Sequence, residues 1–190
     1  MCGIFGILNY SKIEKERFPD ILKLLHHRGP DDSGQLTFPE IILGHKRLSV
    51  IDLKSGHQPM SCTEGRFHIV FNGEIYNFHE IRSDLEKRGY SFKTNSDTEV
   101  LLQGYIEYGE DILNKVNGPF AFAVWDDKEK ELFLSRDPLG QKPLFYAEHK
   151  NNQLIFSSEL NPLVQMFPEL KVLDKDALNL YLSFQSVPPP

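Results

Sequence analysis

Two stretches, AFAVWDDKEKELFLS at 121–135 and LFYAEHKNNQLIFSS at 144–158, each set two apolar runs around a polar link far too short for a parallel crossover. Both read as β-hairpins, so antiparallel sheet is the framework. Further short apolar runs bounded by turn residues give strand candidates at Ile4–Leu8, Ile41–Lys46 and Phe67–Asn72. The hairpins divide into Phe120–Asp126 with Glu131–Arg136, and Leu144–Glu148 with Leu154–Ser158. Helical spacing appears in Phe78–Lys87, through Phe78, Ile81 and Leu85, and in Asp97–Tyr108, through Val100, Leu101, Tyr105 and Tyr108. A third helix is expected over Phe18–His26 and a last one over Asp174–Ser183, with Asp174 as its N-cap. The layout is α+β.

The chain has 190 residues, and 21 Lys and Arg against 27 Asp and Glu leave a net charge of −6. Such a surface, without clustered Lys or Arg, speaks against nucleic acid or an anionic membrane as partner. No apolar run nears the ~18 residues that cross a bilayer, and MCGIFGILNYSKIEK lacks the basic start and cleavage site of a secretory signal. Two cysteines, Cys2 and Cys62, make no disulfide framework and no C-x-x-C pair. A cytoplasmic protein is expected. One domain is read over 1–185, and the proline run that follows makes 186–190 the start of a linker.

Cys2 is the first residue with chemical promise. An initiator Met before a small side chain is normally removable, which would leave a thiol and a free α-amino group on one residue. With reference pKa values near ~8.5 and ~8, such a residue carries its own nucleophile and its own base. The plain alternative is a small apolar residue at a chain start. Gly3 and the β-like IFGI hold that terminus on a strand. Four compact polar signatures follow: HRGPDDSG at 27–34, GHKRLSVIDL at 44–53, FNGEIYN at 71–77 and TNSDTE at 94–99. Each mixes strand-like residues with charges or glycines that a purely structural strand would not select.

Taken with GHQPM, NGPFAFAVWD, RDPLGQKPLFY and FSSEL, these motifs resemble, in order and over nearly the whole chain, the glutaminase domain of glutamine-dependent asparagine synthetases. These are class II glutamine amidotransferases, N-terminal nucleophile hydrolases. RGPDD and RLSVIDL resemble that branch more than the glucosamine-6-phosphate synthases or phosphoribosyl amidotransferases. The resemblance implies a four-layer αββα sandwich of two antiparallel sheets. It also implies hydrolysis of L-glutamine to L-glutamate and ammonia. Ammonia would pass to a C-terminal synthetase domain of the same polypeptide, which uses ATP and Mg²⁺ to turn aspartate into asparagine and is absent from these residues. A homodimer is compatible with it.

By the same resemblance Cys2 attacks the carboxamide carbon, while the Asn72 amide and the Gly73 N–H form an oxyanion hole. Gly73 would leave the approach open for want of a Cβ. Arg47 grips the α-carboxylate, a bidentate task that Lys46 could not do equally well, with Leu48, Ser49, Val50 and Ile51 lining the same wall. Glu74 and Asp97 accept from the α-ammonium group. Read alone, Asp97 is a helix cap in a box with Ser96 and Glu99, Arg47 a surface strand residue, and Asn72-Gly73 a turn.

The seven histidines show no ligand spacing, so no metal site is expected in this domain, and no S-G-G-x-D or other phosphate-cradling loop assigns ATP chemistry to it. Arg136, Asp137 and Gly140 read as turn and ion-pair residues, and Cys62 as a spectator. Two rivals stay open: the glutaminase half of an amidotransferase with another ammonia acceptor, and a catalytically silent glutamine-binding module. Were Met1 retained, another base would be needed, with His45 and His57 first in line.

Overall fold

The computed structural model describes residues 1–187. The strands are β1 (Gly3–Leu8), β2 (Asp32–Thr37), β3 (Ile41–Arg47), β4 (Met60–Ser61), β5 (Phe67–Gly73), β6 (Phe120–Asp126), β7 (Glu131–Arg136), β8 (Phe145–His149) and β9 (Gln153–Ser157). The helices are α1 (Lys12–Lys23), α2 (Phe78–Lys87), α3 (Asp97–Tyr108), α4 (Leu160–Met166) and α5 (Lys175–Phe184). Both hairpins form as read, β6 with β7 and β8 with β9, in antiparallel register. Asn151 and Asn152 supply the left-handed turn between β8 and β9, a conformation asparagine tolerates better than most residues.

Two antiparallel sheets result, one ordered β2-β3-β1-β9-β8 and the other β4-β5-β6-β7. Strand alternation sorts the apolar residues into three layers. Phe5, Ile7, Ile42 and Ile155 face outward onto α1 and α4 through Phe18, Ile21, Leu22, Leu163 and Met166. Ile69, Phe71, Phe122 and Val124 face the other way onto α2 and α3 through Ile81, Leu85, Val100 and Leu101. Between the sheets lie Ile4, Ile41, Leu43, Val70, Ala121, Ala123, Trp125 and Phe156. This is the four-layer αββα sandwich. No helix among the described residues is long and apolar enough to cross a membrane.

Several boundaries differ from the sequence reading. The first helix begins at Lys12 rather than Phe18, because Ser11 and Glu14 form a capping box: the Ser11 N–H donates to the Glu14 carboxylate, and Ser11 Oγ accepts from the Ile13 N–H. It continues through Pro19, whose missing N–H is outweighed by burial of Phe18, Ile21 and Leu22, and it ends at Lys23. The polar β2, the two-residue β4 and the short α4 were not expected at all. The last helix starts one residue late, with Asp174 accepting from the Asp176 and Ala177 N–H groups as its N-cap. Of the expected linker, residues 188–190 lie outside the described residues.

On the inner face of β1 one position, Gly6, demands the absence of a side chain. Gly6 lies opposite Phe156 in β9, and a Cβ there would collide with the phenyl ring. Gly6→Ala should therefore destabilise the fold by about 1–3 kcal/mol through overpacking. Phe156→Leu in the same chain should recover part of that loss in a double-mutant cycle read by urea unfolding.

Candidate active site

The two sheets meet at one end in a cleft of about 160 Å³, lined by residues that four separate elements deliver. Cys2 reaches it just ahead of β1, and Arg47 ends the neighbouring β3. Asn72 and Gly73 end β5 on the facing sheet, and Ser96, Asp97 and Thr98 open α3. Leu48, Val50, Ile51 and Glu74 complete the walls. Of the residues expected here, Ser49 alone does not line the cleft, and its N–H is held by the Asp31 carboxylate at 2.8 Å.

Cys2 is fixed at its backbone. The buried Arg28 guanidinium donates from Nε to the Cys2 carbonyl at 2.9 Å and from Nη1 to Glu159 at 3.1 Å. Next along β1, the Ile4 N–H donates to Ser158 Oγ at 3.0 Å. The HRGPDDSG and FSSEL motifs thus anchor the N-terminal strand. The Cys2 thiol lies 3.6 Å from the Leu48 carbonyl. Burial pushes its pKa up, the Arg47 charge and the N-terminal amine pull it back, and Asp97 adds to the rise. Met1 also borders the cleft.

Opposite Cys2, Asn72 is buried and its amide nitrogen has no partner among the described residues. A buried amide donor without an acceptor is costly, and this one belongs to a residue that lines the cleft. The Gly73 N–H joins it through strand alternation. Because the Glu74 N–H bonds the Pro119 carbonyl, Gly73 falls at a non-bonded position of the β5–β6 ladder and its N–H turns away from β6. Asn72-Gly73 is thus a strand end and not a turn. A Cβ on Gly73 would strike the Pro119 carbonyl and Phe120 Cα, so glycine is required by the neighbouring strand rather than by an approaching molecule.

Arg47 is buried, not a surface strand residue. Its Nη2 donates to the Ile51 and Asp52 carbonyls at 3.0 and 2.6 Å, and its Nη1 to Leu53 at 3.4 Å. The guanidinium therefore holds the 51–53 segment beside the cleft, with Nε and one Nη1 hydrogen not used in these bonds. Asp97 is not the helix cap. Ser96 holds that position, accepting from the Thr98 N–H, while Glu99 binds the Lys93 and Thr94 N–H groups instead of closing a box. That frees the buried Asp97 carboxylate, which accepts from the Ile75 N–H at 3.1 Å. Burial raises its pKa above the ordinary aspartate range, and the Glu74 charge adds to this against the Ile75 and Thr98 N–H groups. Two acidic side chains, Asp97 and Glu74, thus stand together at the cleft.

The remaining candidates fall elsewhere. His45 and His57 do not line the cleft. His45 is fully buried, and burial lowers its pKa to about 4, which makes it a weak base. His57 pairs at the surface with Asp32 at 2.6 Å. Asp137 holds a tight turn by accepting from the Gln141 and Lys142 N–H groups, and Gly140 takes a positive φ there. Arg136 donates to the Gly140 and Lys142 carbonyls rather than forming the expected ion pair. Sequence reading missed Gln58, Gly56 and Lys142, which line the cleft, and Arg28 behind it. Gln58 lay within the quoted GHQPM motif and Arg28 within HRGPDDSG, so the signals were present without an assigned task.

A model of the glutamine amidotransferase domain matches residues 1–190, the whole chain. The chain belongs to this family. It is 41% identical over 195 residues to asparagine synthetase [glutamine-hydrolyzing] 1 of Bacillus subtilis, covering 100% of this chain and 30% of that protein. Asparagine synthetase B [glutamine-hydrolyzing] of Escherichia coli is 36% identical over 174 residues, covering 90% of this chain and 31% of that protein. This glutamine amidotransferase domain thus spans about a third of the length of both relatives. Among solved structures, the glutamine phosphoribosylpyrophosphate amidotransferase of B. subtilis superposes with a TM-score of 0.69 at 22% identity, over 88% of this chain and 43% of that one. That likeness is one of fold.

The uncompensated Asp97 has a measurable consequence. A carboxyl whose pKa is raised by folding contributes its full stability below the ordinary aspartate pKa and loses it as pH rises through the raised value. Asp97→Asn should therefore raise Tm at pH 7 in thermal melts. The gain should vanish at pH values where Asp97 is itself protonated.

Proposed function

We propose that this chain hydrolyses L-glutamine to L-glutamate and ammonia, with Cys2 as nucleophile. The observation that carries the reading is that the Asn72 amide nitrogen, without a partner among the described residues, and the Gly73 N–H, turned away from β6, belong to residues that line one cleft with Cys2. Such paired donors suit an oxygen that gains charge during acyl transfer. Arg47 and the Glu74–Asp97 pair then read the two ends of the amino acid, carboxylate and ammonium, by opposite charge.

In this mechanism removal of Met1 exposes the α-amine of Cys2, which takes the thiol proton as sulfur bonds to the carboxamide carbon. Charge moves onto the carbonyl oxygen and is held by Asn72 and Gly73. The C–N bond then breaks, and the leaving nitrogen takes the proton from the α-ammonium group to depart as ammonia. Water attacks the resulting thioester, the α-amine accepts its proton, and cleavage of the C–S bond returns the thiol with glutamate. The proton transfer to the amine is part of the attack.

The names of the longer relatives support asparagine formation as the use of this ammonia, at a C-terminal synthetase domain. ATP and Mg²⁺ would belong to that domain rather than to residues 1–185, and both would act in the cytoplasm.

Two measurements test the reading. Asn72→Ala should lower kcat for glutamate release by about 10²–10³ with little change in KM, as for loss of one oxyanion donor. A variant altered only in thermal stability would return Asn72 to a structural role. Active protein should also have an intact mass lower by one methionine residue. Full activity in protein that retains Met1 would exclude the α-amine as base.

A further inference from the structure

The open edge of β5 is completed by side chains. Its neighbour β4 pairs Met60 with Ile69 and Ser61 with His68, a register that would set Pro59 opposite Val70 and Gln58 opposite Phe71. Main-chain pairing with β5 ends at Met60. Phe71, at a non-bonded position toward β6, is left with both its N–H and its carbonyl pointing to this empty edge.

Two buried side chains meet those groups. Gln58 Oε1 accepts from the Phe71 N–H at 2.7 Å, and the same amide donates from Nε2 to Thr98 Oγ1 at 3.2 Å, next to Asp97. His45 reaches across the gap from the other sheet and bonds the Phe71 carbonyl through Nε2 at 3.0 Å. A carbonyl can only accept, so the ring carries its proton on Nε2 and leaves Nδ1 as a buried acceptor without a partner. His45 also lies opposite Ile4 of β1, two residues from Cys2, and two residues before Arg47 on its own strand.

We propose that His45 and Gln58 are positioning residues for the Asn72–Gly73 donor pair, replacing a missing strand on the β5 edge and thereby setting where the two donors meet the substrate oxygen. The inference rests on the glutaminase reading above. Its specificity follows from what else is held. β3 is bonded along both edges, by β1 and by β2, so Arg47 stays in place without the His45 bond. The end of β5 has a main-chain ladder only on its β6 side. Loss of either side chain therefore moves the oxyanion donors while Arg47 stays in place on β3.

The test uses His45→Phe, which fills similar space without a donor, His45→Gln, whose amide can again donate to Phe71, and Gln58→Met, which removes both bonds at little change in volume. Glutaminase kinetics should show kcat at least tenfold lower in His45→Phe and Gln58→Met with KM within about threefold of the parent, and most of kcat recovered in His45→Gln. Amide hydrogen exchange on the same proteins should be about tenfold faster at Phe71 and Asn72 in the two disruptive variants, unchanged at Ile42 and Leu43 of β3, and restored in His45→Gln. Parental kcat in His45→Phe, a KM rise that matches the fall in kcat, or no rescue by glutamine at position 45 overturns the proposal. An inactive parent protein would refute the glutaminase reading instead, and exchange at Phe71 and Asn72 would still decide whether these side chains hold the β5 edge: unchanged protection in both disruptive variants overturns that role.

Discussion

The apolar layer between the sheets holds Ile4, Leu43, Val70, Ala121, Ala123, Trp125 and Phe156 in contact, and the separation of the two halves of the cleft follows from it. Cys2 and Arg47 belong to one sheet, Asn72 and Gly73 to the other. Full burial of a large apolar side chain contributes about 1.5–3 kcal/mol, against roughly 1 kcal/mol net for a hydrogen bond. The layer therefore sets the spacing, and polar contacts such as His45 to Phe71 adjust orientation within it.

Against that well-packed frame the cleft breaks several of the rules that the rest of the chain obeys. Asn72 keeps a buried donor without an acceptor, Asp97 and Glu74 place like charges together, and Arg47 is bound to carbonyl oxygens rather than to a carboxylate. Each feature is unfavourable or incomplete on its own, and on the proposed reading each is met by a group of the amino-acid substrate. Local conflict of this kind, confined to one end of a consistent fold, marks a binding site.

The hairpins were legible because strand, turn and strand lie next to one another in the chain, and α2 and α3 because their apolar stripes are long. What stayed hidden depends on partners far away in sequence. The strand β2 is polar and reads as loop until β3 pairs with it, and β4 exists only through two residues of β5. The α1 boundary is a different case, since Ser11 and Glu14 spelled a capping box that Pro19 obscured. In the cleft, the resemblance carried by the motifs singled out Cys2, Arg47, Asn72 and Asp97, which residue type alone read as a chain start, a surface residue, a turn and a cap, while the contacts of Gln58 and Arg28 became visible only once β4, β5 and the N-terminus were set side by side. Gly73 shows a further limit: its identity was read correctly for a reason that the packing of Pro119 and Phe120 replaces.

The placement of β1 also governs the order in which the molecule can be made. Its residues sit between β3 and β9, and Gly6 finds its second neighbour only at Phe156. During synthesis at roughly 5–20 residues per second, the first strand therefore waits on the order of ten seconds for the segment that encloses it. Through that interval the N-terminus is a free chain end, open to a processing enzyme. Once β9 docks, Gly3–Leu8 become the middle of a sheet, while Met1 ahead of them stays exposed. The slow, non-local topology thus delays enclosure of the strand without sealing off the residue that precedes it.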